Sequence, residues 1–245
     1  MNLFQTYQWR QAISNNIDFA HSFVAIVEMN PPLYYVMNYN QLNILVYNEN
    51  WEYQRTYPTV NYFHPTYSMN VNGVIYIAGF FGIQKYDMYL NLILEVSFNS
   101  RGIYYNASNL LIYIVEYPTN IIQVFDQDLN LNDTIITNQS PWFLTGYIDN
   151  LVVGDNNDGK VYFYQNNSMI QSISTQCTAR VSSVLFNEFN HMLVLCETSS
   201  RAFIYFSNGS FTGISFCTCN QPTFFNFDSK NRLVITCGHQ IDIYY

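Results

Sequence analysis

The chain has 245 residues, 49% of them hydrophobic and 18% aromatic, yet only 11% charged, with a net charge of −8. Three lysines, Lys85, Lys160 and Lys230, supply no cationic stripe, which excludes binding of nucleic acid through phosphate neutralisation and disfavours an anionic membrane surface. No apolar run approaches the roughly 18 residues of a membrane helix, so no membrane insertion is expected.

The first residues lack the basic and apolar regions of a signal peptide. The chain reads as a single domain over 1–245, either cytoplasmic or the mature part of a longer secreted protein. A polar exterior built from Asn, Gln, Ser and Thr with few lysines gives preference to an extracellular setting. Five Asn-x-Ser/Thr sequons, at Asn106, Asn132, Asn138, Asn166 and Asn208, add nothing to that preference. An Asn- and Ser/Thr-rich chain yields about four by chance.

The organising unit is the stretch 111–125, LIYIVEYPTNIIQVF. Two β-branched and aromatic runs flank a short turn containing Pro118 and Asn120, the pattern of two antiparallel strands. It recurs six times at a period of about 40 residues, the range of propellers and solenoids. Each repeat has four predicted strands, A to D. In chain order, segment 3–9 (LFQTYQW) resembles the D strand of repeat one, 51–57 (WEYQRTY). Repeat one then runs 23–29, 33–38, 44–47 and 51–57, and repeat two 67–69, 74–79, 83–86 and 90–96. Repeat three runs 103–105, 111–116, 121–125 and 131–136, and repeat four 142–146, 151–155, 160–164 and 168–173. Repeat five runs 182–186, 192–197, 202–205 and 211–216. Repeat six has 223–228, 232–237 and 241–245 but no fourth strand. The prediction is an all-β, six-bladed β-propeller of four-stranded antiparallel blades, its last blade closed by the N-terminal strand, because closure removes the open sheet edges.

The repeats resemble the NHL family of six-bladed propellers. Pro65, Pro141 and Pro222 fill the family's Pro slot, and Glu116, Asp155 and Glu197 its acidic slot after strand B. Its third element appears as 123–125 (QVF) and 161–163 (VYF), and the Arg of its turn survives as Arg201. The resemblance implies a binding module, as in the recognition end of larger intracellular proteins. One relative, a peptide-amidating lyase, holds zinc with three histidines.

In such a blade the D–A and B–C connections share one face, here called the top, where the channel opens. His21, His64, Arg101 and Arg180 fall in the D–A slot, and His239 in a B–C loop of the last blade. A half-ring of cationic or titratable groups on an acidic protein suits a small anionic ligand. The plainer reading pairs Arg101 with Glu116 and Arg180 with Glu197. His21, His64 and His239 are the alternative zinc set. Asp155, Asn157 and Asp158 are calcium-ligand types, although Asn-Asn-Asp-Gly more often forms a turn. There is no Gly-rich phosphate loop and no G-x-S-x-G elbow, and no cofactor is expected.

All five cysteines lie in the last third. Cys177 and Cys217/Cys219 precede strand A in successive repeats, and Cys196 and Cys237 end strand B. This spacing predicts Cys177–Cys196, and Cys237 bonded to Cys219 or Cys217. Buried free thiols, or a zinc site of Cys217, Cys219, Cys237 and His239, are the alternatives. The function expected is non-enzymatic binding of a protein partner, or of a small anionic or carbohydrate ligand, through the top face. A metal-dependent lyase or hydrolase at the channel mouth is the alternative.

Overall fold

A computed structural model of the protein describes residues 10–13, 20–26, 29–59 and 63–244; for 10–13, 20, 21, 24–26 and 217 only the backbone is described. Twenty-four strands form six four-stranded antiparallel sheets, arranged as the blades of a β-propeller. Blade one is β2 (Ala20–Ile26), β3 (Leu33–Asn38), β4 (Asn43–Asn48) and β5 (Tyr53–Pro58). Blade two is β6 (Pro65–Val71), β7 (Val74–Gly79), β8 (Gly82–Tyr86) and β9 (Leu92–Val96). Blade three is β10 (Ser100–Asn106), β11 (Leu111–Glu116), β12 (Ile121–Phe125) and β13 (Leu131–Ile136). Blade four is β14 (Pro141–Tyr147), β15 (Asn150–Asp155), β16 (Lys160–Gln165) and β17 (Ser168–Ser174). Blade five is β18 (Val181–Phe186), β19 (Met192–Cys196), β20 (Arg201–Tyr205) and β21 (Phe211–Cys217).

Blade six is β22 (Pro222–Phe227), β23 (Leu233–Cys237), β24 (Ile241–Tyr244) and, as its outer strand, β1 (Arg10–Ile13). The N-terminal closure is therefore real, but its register differs from expectation. Arg10 lies opposite Tyr244 and Ile13 opposite Ile241, so 10–13 already span β24. Segment 3–9 lies outside the described residues.

Second and third strands such as β3, β4, β15, β19 and β23 are buried on both faces, so they read as largely continuous apolar runs, while outer strands such as β5 and β13 are exposed. The C–D turns lock neighbouring blades together. In blades one, two and three each is a three-residue turn whose last residue has a left-handed backbone: Trp51 (φ 62°), Leu90 (66°) and Leu129 (59°). Gly209 (85°) holds that place in blade five. The preceding Asn48, Asp87 or Asp126 caps the turn by accepting two backbone N–H groups. Trp51, expected to begin a strand, thus sits in a turn and is 2% exposed. A tyrosine on the preceding blade then bonds to the turn: Tyr35 donates to the Met88 carbonyl (2.7 Å) and Tyr76 to that of Gln127 (2.8 Å).

Each innermost strand has a bulge near its start, which adds a residue facing the channel. One step further in, register places Ser22, Tyr67, Gly102, Phe143, Ser183 and Phe224 in blades one to six. Large rings from the even blades meet among small residues from the odd ones. Tyr67, Phe143 and Phe224 have centroids 5.7, 6.1 and 6.2 Å apart. A Cβ at Gly102 would come within 2.8 Å of the Trp142 carbonyl and the Leu144 amide, so only glycine lets β10 approach β14. These rings plug the channel between its two mouths.

Candidate functional site

Above the plug, the bulge positions of blades three and four carry Arg101 and Trp142. The B–C connections of blades one to three each place an aromatic residue directly after their second strand: Tyr39, Phe80 and Tyr117. With Trp142 they form an arc of edge-to-face and tilted contacts, at 6.0 Å (Tyr39–Phe80), 6.3 Å (Phe80–Tyr117) and 5.7 Å (Tyr117–Trp142). The Arg101 guanidinium carbon lies 4.3 Å from the Phe80 ring centroid, 4.6 Å from Trp142, 5.2 Å from Tyr117 and 5.8 Å from Tyr39.

Arg101 is only 7% exposed, its Nε has no hydrogen-bond partner, and no carboxylate among the described residues pairs with it. Burial lowers its pKa from the usual arginine value, an effect that nearby tyrosine hydroxyls oppose. Placing a guanidinium there without a counter-ion costs several kcal/mol in principle, and each aromatic face returns about 0.5–2 kcal/mol. The expected partner Glu116 instead accepts from Gln123.

Arg180 behaves differently. Its Nη1 donates to both oxygens of Glu197 (3.0 and 2.8 Å), its Nε donates to Asn156 (2.7 Å), and its guanidinium stacks 3.9 Å over Trp142. The plainer pairing thus holds for Arg180 and fails for Arg101. Beneath both lies the fully buried Tyr67, whose hydroxyl donates to the Ser182 carbonyl (2.9 Å). Its pKa is raised, first by burial and then by the Glu197 carboxylate, with Arg101 and Arg180 opposing.

The D–A slot read from sequence merges two structural positions. Arg101 and His21 occupy the bulge, whereas His64 and Arg180 precede their strands. The acidic slot is likewise mixed, for Glu116 and Asp155 end β11 and β15 while Glu197 follows β19. His64 is half-buried, with Nδ1 3.2 Å from the Tyr39 carbonyl oxygen and its ring 4.8 Å from Tyr39. His239 is exposed in the last B–C connection, and the His21 side chain lies outside the described part.

Asp155 closes a turn. Its oxygens accept the backbone N–H groups of Asn157 (2.6 Å), Asp158 (2.9 Å) and Ser140 (2.9 Å), and burial foremost raises its pKa. The cysteines form Cys177–Cys196 and Cys219–Cys237 bridges, with Cα atoms 5.3 and 6.0 Å apart. That bonding removes the Cys217, Cys219, Cys237 and His239 zinc alternative. It also accounts for the one close group of ligand-type side chains among the described residues, Cys219, Cys237 and Asp242.

Fold and mouth define a six-bladed β-propeller with a cation-bearing aromatic arc at its top. Solved structures of low sequence identity share that fold. A streptogramin B lyase has 9% identity and a TM-score of 0.76, covering 98% of this chain and 99% of that one. Virginiamycin B lyase from Staphylococcus aureus has 13% identity and a TM-score of 0.70, covering 93% of this chain and 81% of that one. BBS1N, solved in complex with ARL6DN, has 11% identity and a TM-score of 0.69, covering 98% and 95%. No family model and no curated protein sequence matches the chain.

Proposed function

We propose that the protein is a non-enzymatic binding propeller of the extracellular space, and that its top mouth takes an anionic group of a small ligand or protein partner. The observation that carries this reading is Arg101, a buried cation whose Nε has no hydrogen-bond partner and which no carboxylate among the described residues faces. Because most of its desolvation has already occurred in the folded protein, an incoming carboxylate gains a charge-assisted hydrogen bond at reduced desolvation cost. The aromatic arc offers flat apolar surface around that contact, suited to the rest of a ligand. The two disulfides support an oxidising compartment.

The test is calorimetric titration with benzoate against benzamide, and with peptides bearing a free C-terminal carboxylate against their amides. The carboxylates are expected to bind and the amides not. Arg101→Met should weaken binding about tenfold or more, the scale of one charge-assisted hydrogen bond, and Arg101→Lys should restore part of it. Equal binding of the neutral analogues, or undiminished affinity in Arg101→Met, overturns the assignment. One tightly held zinc in the purified protein would move the reading to the lyase or hydrolase alternative.

A further inference from the structure

On the face opposite the top, blades three and four are separated by a cleft of about 400 Å³, within the size range of small-molecule sites. Its origin lies in a missing residue. Tyr47, Tyr86, Phe125 and Tyr205 each pair with the residue six positions on, across a three-residue turn. In blade four Tyr164 pairs with Met169, five positions on, and the turn shrinks to Asn166 and Asn167, both left-handed (φ 49° and 62°). The residue that Trp51 and Leu129 bury between their blades has no counterpart there. Tyr113 occupies the place in β11 that Tyr35 and Tyr76 hold in β3 and β7. It finds no turn carbonyl across the gap and instead accepts the Asn109 amide N–H (3.0 Å).

What lines the opening is specific. Blade three contributes the amides of Asn106, Asn109 and Asn132, and blade four those of Asn166 and Asn167. Asp133 and Asp149 add carboxylates, and no Lys, Arg or His is present in the lining. Asp133 is linked across the cleft to Asn167 (2.8 Å). The floor is apolar, with Leu111, Val124 and Leu151 beside the Tyr113 ring. Neutral amides that both donate and accept, carboxylates that only accept, and a ring beside them match the alternating hydroxyls and apolar patches of a sugar.

We infer that this cleft is a binding site for a neutral saccharide. Anions are disfavoured by Asp133 and Asp149. The inference is independent of the top-mouth reading.

Asn106, Asn132 and Asn166 also head Asn-x-Ser sequences or, at Asn132, Asn-x-Thr, so the test uses protein made without N-glycans. Methyl glycosides and disaccharides of glucose, galactose, mannose and N-acetylglucosamine are titrated and followed by calorimetry. At least one should bind saturably. Asp149→Ala and Asn109→Ala, both at exposed positions, should each weaken it about tenfold, the loss of one or two hydrogen bonds, in proteins that still melt cooperatively. Replacing 165–168 by the sequence of 126–130 restores a three-residue turn and should abolish binding in a protein that still melts cooperatively. Arg101→Met should leave it unchanged. Absence of binding by every sugar, binding indifferent to the Asp149 and Asn109 substitutions, or binding of calcium alone overturns the proposal.

Discussion

Trp51 tests the logic of the inter-blade turns most sharply, because two effects at one residue have opposite signs. Its indole is buried, stacks 4.4 Å from Tyr34, meets Phe23 edge-on at 5.3 Å and donates Nε1–H to Asp228 (3.1 Å). Removing a buried Trp costs about 3–5 kcal/mol, and the lost bond to a charged acceptor brings the expectation for Trp51→Ala to its upper end, about 4–5 kcal/mol. The Asp228 carboxylate stays paired with Arg232 (2.6 Å), so no unpaired charge is left behind. Backbone conformation now sets the order of two variants. At φ 62° any L-residue bears roughly 1–2 kcal/mol of strain that glycine escapes, against about 0.5–1 kcal/mol for glycine's greater freedom when unfolded. Trp51→Gly should therefore be more stable than Trp51→Ala by about 0.5–1 kcal/mol, the reverse of the usual order. Urea unfolding of both variants reads this directly, and melting temperatures should fall by roughly 8–20 °C. If Trp51→Ala loses less than about 2 kcal/mol, or proves the more stable of the two, the wedge account is wrong.

Deleting residues 1–13 removes β1 and opens the edge of β24; the variant should melt lower and self-associate, and an unchanged melting temperature with a monomeric elution profile would refute the closure. Denatured, unreduced protein should show one free thiol among five cysteines, while five would remove the case for an oxidising compartment. The bridges span 19 and 18 residues, so abolishing either should cost about 3 kcal/mol on the chain-entropy model. The Asp126 carboxyl is held below its ordinary value, chiefly by the Asn130 side chain and also by backbone N–H groups. Its stabilisation is therefore present above the unfolded-state pKa near 3.8 and is lost as pH falls through the lower folded value. A carboxyl titration by NMR showing an ordinary or raised value would contradict this.

The blade count and the middle strands were legible because a strand buried on both faces must be continuously apolar, as 192–196 (MLVLC) is. The disulfides were legible because the same loop-to-strand spacing repeats in two blades. Other features left weaker marks. Trp51 resembles a strand residue by type, and nothing local announces that burial will hold it in a left-handed turn. The bulges insert a residue without a sequence signal, so spacing alone does not separate His64 and Arg180, which precede their strands, from His21 and Arg101, which lie in the bulges. The arc of Tyr39, Phe80 and Tyr117 carried a usable signal, an aromatic directly after strand B in three successive repeats, but none of the three is charged at neutral pH and so none stands out as a binding group. The cleft follows from a spacing of five in place of six after Tyr164, visible only once the turns are aligned by their hydrogen bonds.

The seam between β1 and β24 also orders events in time. It pairs residues from almost opposite ends of the chain, Arg10 with Tyr244, and contacts so distant in sequence form slowly. A chain leaving the ribosome has completed five blades before the strand that receives β1 exists. Phe224, the third ring of the axial plug, arrives with that same late blade. Until then the nascent arc has a wet axis and two bare flanks, the form in which unsealed β-structure finds the wrong neighbour. Substitutions at Ile241 and Ile243, buried beside the seam, should therefore lower the yield of folded protein as well as its stability.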